Sequence, residues 1–318
     1  MKALVRDRYG DPGVLRVEEV ERPPLEDDRV LVRVKASSVN RAEWYGLTGR
    51  PLMARVLMGG VRRPKSRLIG TDFAGVVEAV GKDVEGCAVG DEVFGGRDGA
   101  YAEYVAAKSF AHKPANVSFE EAGCVGIAGL TALQAVRDHG ELRPGERVLV
   151  NGASGGVGTM TLQIAKALGG QVTAVCSTRN VEQARRLGAD RVLDYTQEDF
   201  TRQGDRYDLV LDVAGSRSWR ELRRVLAPGG RVVMVGAPSG TLFFGPLLHI
   251  AATKIASLGK ARFFVTKFRS PDLETLAELL DSGALKPAID RTYELAETPQ
   301  ALSAMGEGRV RGKLVLTI

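Results

Sequence analysis

The sequence predicts an α/β chain, a doubly wound parallel sheet inserted into a β-rich domain that is split in sequence. Three observations predict it. From Arg147 to Val235, short apolar runs alternate with stretches of helical spacing. A glycine cluster, Gly152-Ala153-Ser154-Gly155-Gly156-Val157-Gly158, joins the first of those runs to the first of those helices. The flanking regions lack the alternation and read as strands and turns. The expected domains are 1–119 for the first part of the β-rich domain, 120–253 for the parallel sheet, and 254–318 for the return.

In the first part, Ala3–Val5, Val14–Val17 and Val30–Val34 are short β-rich runs. Pro12-Gly13, Pro23-Pro24 and Asp27-Asp28 break them. Phe73–Val80, Glu92–Phe94 and Gly99–Val105 continue the pattern toward a barrel or sandwich. Two irregular stretches interrupt it. Asn40–Leu47 suits one or two helical turns. Arg50–Arg67 carries six basic residues around Val56-Leu57-Met58 and reads as a solvated excursion, a flap over an anionic ligand, or a basic patch.

Ser118 with Glu121 three residues on is a capping box that opens a helical pattern reaching Asp138. Gly126 and Gly129 lie inside it, so close packing or a break is expected there. Then Val148–Val150 is a strand, Thr159–Leu168 a helix stopped by Gly169-Gly170, and Val172–Val175 a second strand. Val181–Leu187 and Trp219–Leu226 are helical, while Arg191–Leu193, Leu209–Val213 and Arg231–Val235 are strands. In the tail, Lys254–Leu258, Ile289–Leu295 and Leu314–Ile318 read as strands and Leu273–Leu280 as a helix.

The turn at 152–158 has a specific physics. Ala153-x-Gly155-x-x-Gly158 has the dinucleotide-binding spacing with Ala in the first place. Gly155 lets the backbone approach a pyrophosphate, and Gly158 lets the helix pack closely on the strand. The backbone of Ala153, Ser154, Gly155, Gly156, Val157 and Gly158 then presents N–H groups and a helix dipole to an anion. A site preferring NAD would carry an acid at the end of the next strand. This chain has Cys176-Ser177-Thr178-Arg179 there. Ser177 and Thr178 offer hydroxyls, and Arg179 offers a charged fork for a 2′-phosphate; the expected cofactor is NADP(H). Tyr195, just past the third strand, either adds a hydroxyl at the adenosine phosphate or is a half-buried strand-end ring.

Composition narrows the classes. The chain has 318 residues, 44% hydrophobic and 26% charged, with net charge +5, as in a globular chain of two domains. It has no apolar run of membrane-spanning length and no apolar leader core near MKALVRDRYG, so a cytoplasmic location is expected. Cys87, Cys124 and Cys176 form no CxxC pair, and His112, His139 and His249 are scattered; no metal site is expected from this inventory.

The segments DFAGVVEAVG (72–81), GDEVFG (90–95), GAYAEYV (99–105), AGLTAL (128–133), GASGGVG (152–158), RLGADRVLDY (186–195), DVAG (212–215) and RGK (311–313) resemble the medium-chain dehydrogenase/reductase superfamily. The likeness is to its zinc-independent quinone oxidoreductase branch, ζ-crystallin-like and reticulon-4-interacting-protein-like reductases included. The resemblance implies a Rossmann sheet inserted into a GroES-like catalytic domain. It implies Asn40 and Tyr45 as catalytic residues, Asn40 orienting a substrate carbonyl and Tyr45 donating to a developing oxyanion or enolate. It also implies Thr131, Gly236 and Ala237 near the nicotinamide, with Arg311 and Lys313 at the cofactor phosphates. Zinc-dependent members have a Cys near position 40 and Gly-His-Glu where this chain has Gly70-Thr71-Asp72. Arg41-Ala42-Glu43-Trp44 departs from the branch, and Trp44 is expected to reshape the substrate pocket.

The expected function is metal-independent, NADPH-dependent hydride transfer to a quinone or α,β-unsaturated carbonyl. Enoyl-thioester reduction and zinc-free alcohol oxidation are alternatives, as is an NADPH-binding module whose work is interaction with RNA or protein. The expected partners are a small-molecule hydride acceptor and a second copy in a homodimer, with neither membrane nor nucleic acid.

Overall fold

The computed structural model describes residues 1–50, 52, 55, 60–236, 253, 257 and 259–318. Its contacts divide the chain into two units. One comprises Met1–Leu130, Phe268–Gly283 and Pro287–Ile318; the other comprises Thr131–Lys267 and Ala284–Lys286. These divisions fall later than the sequence-read borders at 119/120 and 253/254. One reason is local: the helix Phe119–Gly123 packs on strands of the first unit.

In chain order the strands of the first segment are β1 (Lys2–Val5), β2 (Arg16–Glu19), β3 (Val30–Val39), β4 (Asp72–Val80), β5 (Glu92–Gly96), β6 (Tyr104–Ala107) and β7 (Phe110–His112). The inserted unit carries β8 (Arg147–Asn151), β9 (Gln171–Cys176), β10 (Arg191–Asp194), β11 (Tyr207–Asp212), β12 (Leu226–Met234) and β13 (Ala261–Phe263). The return adds β14 (Ile289–Glu294) and β15 (Lys313–Thr317).

The first unit is built on a mostly antiparallel sheet in the order β14-β15-β3-β4-β5-β7, with β6 also on β3. β3 alternates buried and exposed side chains over its first half, as a half-buried strand must, then is buried throughout. The break expected at Pro12-Gly13 is a 3-10 turn, Pro12–Val14, in which Pro12 fixes its backbone and removes a donor, and the strand expected from Val14 begins at Arg16. The helix Arg41–Thr48 follows β3 directly and stops at Gly49, which is left-handed at φ 60°.

The inserted unit has the order β10-β9-β8-β11-β12-β13, every pair parallel. That is the doubly wound order, and the strand order reverses between β8 and β11. The central strand β8 is apolar on both faces; Val148, Leu149 and Val150 have no exposure. The capping box at Ser118 and Glu121 is present. The helical pattern after it is broken, into Phe119–Gly123, Gly126–Leu133 and a π-helical stretch Gln134–His139. At the first break the Asp72 carboxylate accepts the Ile127 N–H and stands so close that a Cβ on Gly126 would lie 2.4 Å from it. Of the expected strand at Lys254–Leu258 only Ser257 is described, in a turn, and the site residue Ala237 lies outside the described residues. Among the described residues, no helix is long and apolar enough to cross a membrane.

Candidate active site

The parallel unit gathers one group of expected site residues at the carboxyl ends of its strands. β8 ends at Asn151 and the turn follows. Gly152 sits at φ 90°, a backbone that L side chains resist. A Cβ on Gly158 would lie 2.0 Å from the Gly152 carbonyl oxygen, so only glycine lets this helix approach its strand. A Cβ on Gly155 would meet nothing within 4 Å. Space therefore stands over the turn, at the start of the twelve-residue helix Gly156–Ala167. The first N–H groups of a helix have no carbonyl partner within it. An open cradle of backbone donors at the strand-order reversal fits a dinucleotide pyrophosphate.

Beside it, β9 delivers Ser177, half-buried, and the exposed Thr178 and Arg179 on a 3-10 turn. Tyr195 is 56% exposed, and its N–H donates to the Cys176 carbonyl at 3.0 Å. The structure adds a group missed in the sequence. Asp194, from the neighbouring strand, accepts from the Thr178 hydroxyl at 2.5 Å and from Thr196 and Gln197. Those hydrogen bonds, Thr178's above all, hold its carboxyl below the usual range. An acid thus stands near the end of β9 after all, brought by strand pairing rather than by sequence position.

At the reversal itself, the Asn151 amide donates to Asp212 Oδ1 at 2.8 Å, and the Gly215 N–H to the same oxygen at 3.0 Å. Burial pushes the Asp212 carboxyl up to about 6. Its Oδ2 is buried with no hydrogen-bond partner among the described residues. Gly236 donates to the Asp212 carbonyl and passes so close to Val213 that a Cβ would lie 2.2 Å from that carbonyl oxygen. The Thr131 hydroxyl pairs with the Thr266 hydroxyl at 2.7 Å.

The first unit gathers a second group, and strand register explains it. β3 pairs β4 with Ala36 opposite Ala74, and β15 with Leu314 opposite Val39. Extending both registers sets Ser38 against Asp72 and Asn40 against Lys313. All four side chains are buried; Asp72 has no exposure and Lys313 has 1%. Asp72 Oδ2 accepts from Ser38 at 2.6 Å, Asn40 Nδ2 at 2.8 Å and Lys313 Nζ at 3.3 Å. Asp72 Oδ1 accepts the Ile127 N–H at 2.6 Å, at the start of the helix Gly126–Leu133. Lys313 Nζ also donates to Asn40 Oδ1 at 2.5 Å. Glu43 accepts the Asn40 N–H at 2.8 Å. Burial, and then the Asp72 charge, push the Glu43 carboxyl up.

Lys313 thus has a setting other than the expected one at the cofactor phosphates: it is enclosed in this unit, on Asn40 and Asp72. The Arg311 N–H donates to Asp290 at 3.2 Å. Tyr45 lies half-buried one turn past Asn40, and Arg41 Nε donates to its hydroxyl at 3.4 Å. Trp44 is half-buried, and its indole packs on the core of this unit and against Gly306, where a Cβ would lie 2.4 Å from the ring.

Comparison with known proteins places this geometry. The chain matches the alcohol dehydrogenase GroES-like domain over residues 26–118 and the zinc-binding dehydrogenase family over 187–316. It is 32% identical to the mitochondrial NAD(P)H oxidoreductase RTN4IP1 of Mus musculus, over all of this chain and 89% of that one. The chain belongs to the medium-chain dehydrogenase/reductase superfamily, in its quinone oxidoreductase branch. It is an NAD(P)H-dependent oxidoreductase in kind. It is also 32% identical to the 2-methylene-furan-3-one reductase of Solanum lycopersicum, over 99% of this chain and 79% of that one. The solved quinone oxidoreductase of Coxiella burnetii superposes with a TM-score of 0.87 at 30% identity, covering 100% and 99% of the two chains.

The zinc in one family description calls for a test of the donors. Among the described residues there is no cluster of three His, Cys, Asp or Glu able to hold a metal. At the place the resemblance assigns to zinc stand Asn40, Thr71 and Asp72. Cys124, nearby, is fully buried, and one thiol cannot by itself complete a tetrahedral zinc site. The Asn40 and Asp72 oxygens already face the Lys313 ammonium. This donor set does not fit a zinc ion.

Proposed function

We propose that the chain is an NADPH-dependent, zinc-independent reductase of quinones or α,β-unsaturated carbonyl compounds. The carrying observation is the open glycine turn at the reversal point of a wholly parallel sheet. The relatives support the acceptor class: one is named for quinones, and the tomato relative's named substrate is an α,β-unsaturated ketone.

NADPH, when bound, supplies the hydride. Ala153 to Gly158 hold its pyrophosphate through backbone N–H groups. Ser177, Thr178 and Arg179 take the 2′-phosphate, with Tyr195 beside the adenosine. Thr131 and Gly236 flank the nicotinamide. On the acceptor, the Asn40 amide holds the carbonyl oxygen and the Tyr45 hydroxyl, next to the Arg41 guanidinium, donates as negative charge develops. Arg311 is kept as a phosphate contact and Lys313 is not. A cytoplasmic homodimer completes the reading, to be checked by cell fractionation and light scattering.

The test is oxidation of NADPH and of NADH against a panel of quinones, enones, enoyl thioesters and alcohol–aldehyde pairs, with and without chelator. Turnover of quinones or enones, faster with NADPH and insensitive to chelator, is expected. Tight NADPH binding with no turnover across the panel would sink the reductase reading in favour of a binding module.

A further inference from the structure

The buried cluster in the first unit carries one cation among acids. Lys313 Nζ lies between Asn40 Oδ1, at 2.5 Å, and Asp72 Oδ2, at 3.3 Å. Asn40 Nδ2 reaches the same Asp72 oxygen at 2.8 Å. An ammonium only donates and a carboxylate only accepts. The Asn40 amide is therefore held between two partners that each tolerate one end of it. Rotating it by half a turn would set its N–H groups against the ammonium and its oxygen against the carboxylate. Most asparagine amides have no such clamp, and their orientation is settled by weaker networks.

The clamp leaves a remainder. Asn40 Nδ2 has two protons, and Asp72 uses one. Its contacts to the Ser38 carbonyl and Glu43 Oε1 are both 3.5 Å long, at the edge of what counts as a hydrogen bond. One N–H in a fixed direction is thus only weakly engaged. A preset donor is what a carbonyl oxygen gaining negative charge needs.

We propose that Lys313 is the positioning residue of this reductase, an internal cation that stands in for a metal charge and fixes the Asn40 amide so that one N–H points to the acceptor oxygen. This rests on the reading of Asn40 as an acceptor-side group. It replaces the phosphate contact expected for Lys313, and the two make opposite demands: a positioning residue governs turnover, and a phosphate contact governs NADPH binding.

The experiment is chemical rescue. Lys313→Ala removes the ammonium and leaves room for a small one; Lys313→Met removes the charge and keeps the room filled. With 1,4-naphthoquinone as acceptor, Lys313→Ala should lower kcat by roughly 10- to 100-fold, the range typical of residues that orient a reacting group from behind. Its Kd for NADPH, read by fluorescence, should stay near the wild-type value. Ethylammonium should restore kcat of Lys313→Ala saturably, and do nothing for Lys313→Met or the wild type. Wild-type kcat in Lys313→Ala, loss of NADPH affinity in step with kcat, or equal rescue of both variants would overturn the proposal. A wild type that turns over neither 1,4-naphthoquinone nor an enone overturns the reductase reading instead, and shows itself in the reference sample. Should Lys313→Ala not fold, the unaltered protein is decisive. With side-chain-labelled asparagine, one Asn40 Nδ2 proton should shift when the quinone is added to the NADP⁺ complex, the other staying in place; no movement of either overturns the proposal.

Discussion

The Thr178 hydroxyl donates to Asp194 Oδ2 at 2.5 Å, tying the ends of β9 and β10 together. The consequence is a carboxylate within the neighbourhood assigned to the 2′-phosphate. Its charge opposes Arg179. Asp194→Asn should therefore tighten NADPH, by roughly threefold for an exposed charge, and leave NADH nearly unchanged. Arg179→Ala should do the reverse, weakening NADPH roughly tenfold or more with little effect on NADH. Titration of both variants with both cofactors checks this. Equal losses for NADPH and NADH in Arg179→Ala would remove the 2′-phosphate assignment.

Two glycines of the turn should respond differently to the same change. Gly155 has an ordinary φ of −84° and open space above it. Gly155→Ala should keep the thermal stability of the wild type and lose NADPH affinity, because the new methyl group fills the cradle. Gly158→Ala drives a methyl group against the Gly152 carbonyl and should lower both, the fold by about 1–3 kcal/mol. Melting curves with and without NADPH separate the cases.

Asp212 predicts an unusual pH slope. Burial raises its pKa from 3.8 to about 6 in the folded state. Between those values the native chain binds more protons than the unfolded one, so stability falls as pH rises through that window. Below it the group is neutral in both states, and above it the full cost of an ionised buried carboxylate remains. That cost is about 3 kcal/mol at most. Asp212→Asn should flatten the slope between pH 4 and 6 and gain stability over the wild type above it. Urea unfolding across this range decides; parallel curves for the two proteins would discard the argument.

Asp72 is the acceptor on which the other cluster closes. Asp72→Ala leaves the Lys313 ammonium buried without its carboxylate, at a cost of about 3–5 kcal/mol. Glu43→Gln should cost much less, since burial disfavours the charged carboxylate of Glu43 and a glutamine oxygen can still accept the Asn40 N–H. Denaturant midpoints of the two variants compare them directly, and a Glu43→Gln loss as large as that of Asp72→Ala would contradict this ranking.

Much of the inserted unit was legible in the sequence because its signals are local. An apolar run, a glycine turn and a helix period follow one another within some thirty residues, Arg147 to Arg179. The same holds for the capping box at Ser118. What was not legible depends on strand register. Asp194 reaches Thr178 only because β10 lies beside β9. Lys313 reaches Asn40 and Asp72 across more than 240 residues. One faint signal existed: Lys313 opens an otherwise apolar strand, Lys313-Leu314-Val315-Leu316, where a solvated lysine is out of place. The packing of Trp44 on Gly306 was not legible either, because a helix face cannot be assigned from eight residues without its packing partner. The contact of the Asp72 carboxylate with the helix start at Gly126-Ile127 was equally hidden, since no helix propensity encodes it.

The position of β15 has a consequence for synthesis. It lies between β14 and β3, inside the sheet of the first unit, yet it comes after the whole parallel unit in the chain. While a ribosome is still translating that unit, β3 lacks its neighbour on this side and Asp72 lacks its ammonium. The inserted unit is nearly continuous in sequence and is complete in the chain before β15 is made. The N-terminal half must wait with a bare strand edge, the kind of edge that recruits foreign strands. The last strand to arrive both seals that edge and delivers the charge that completes the cluster.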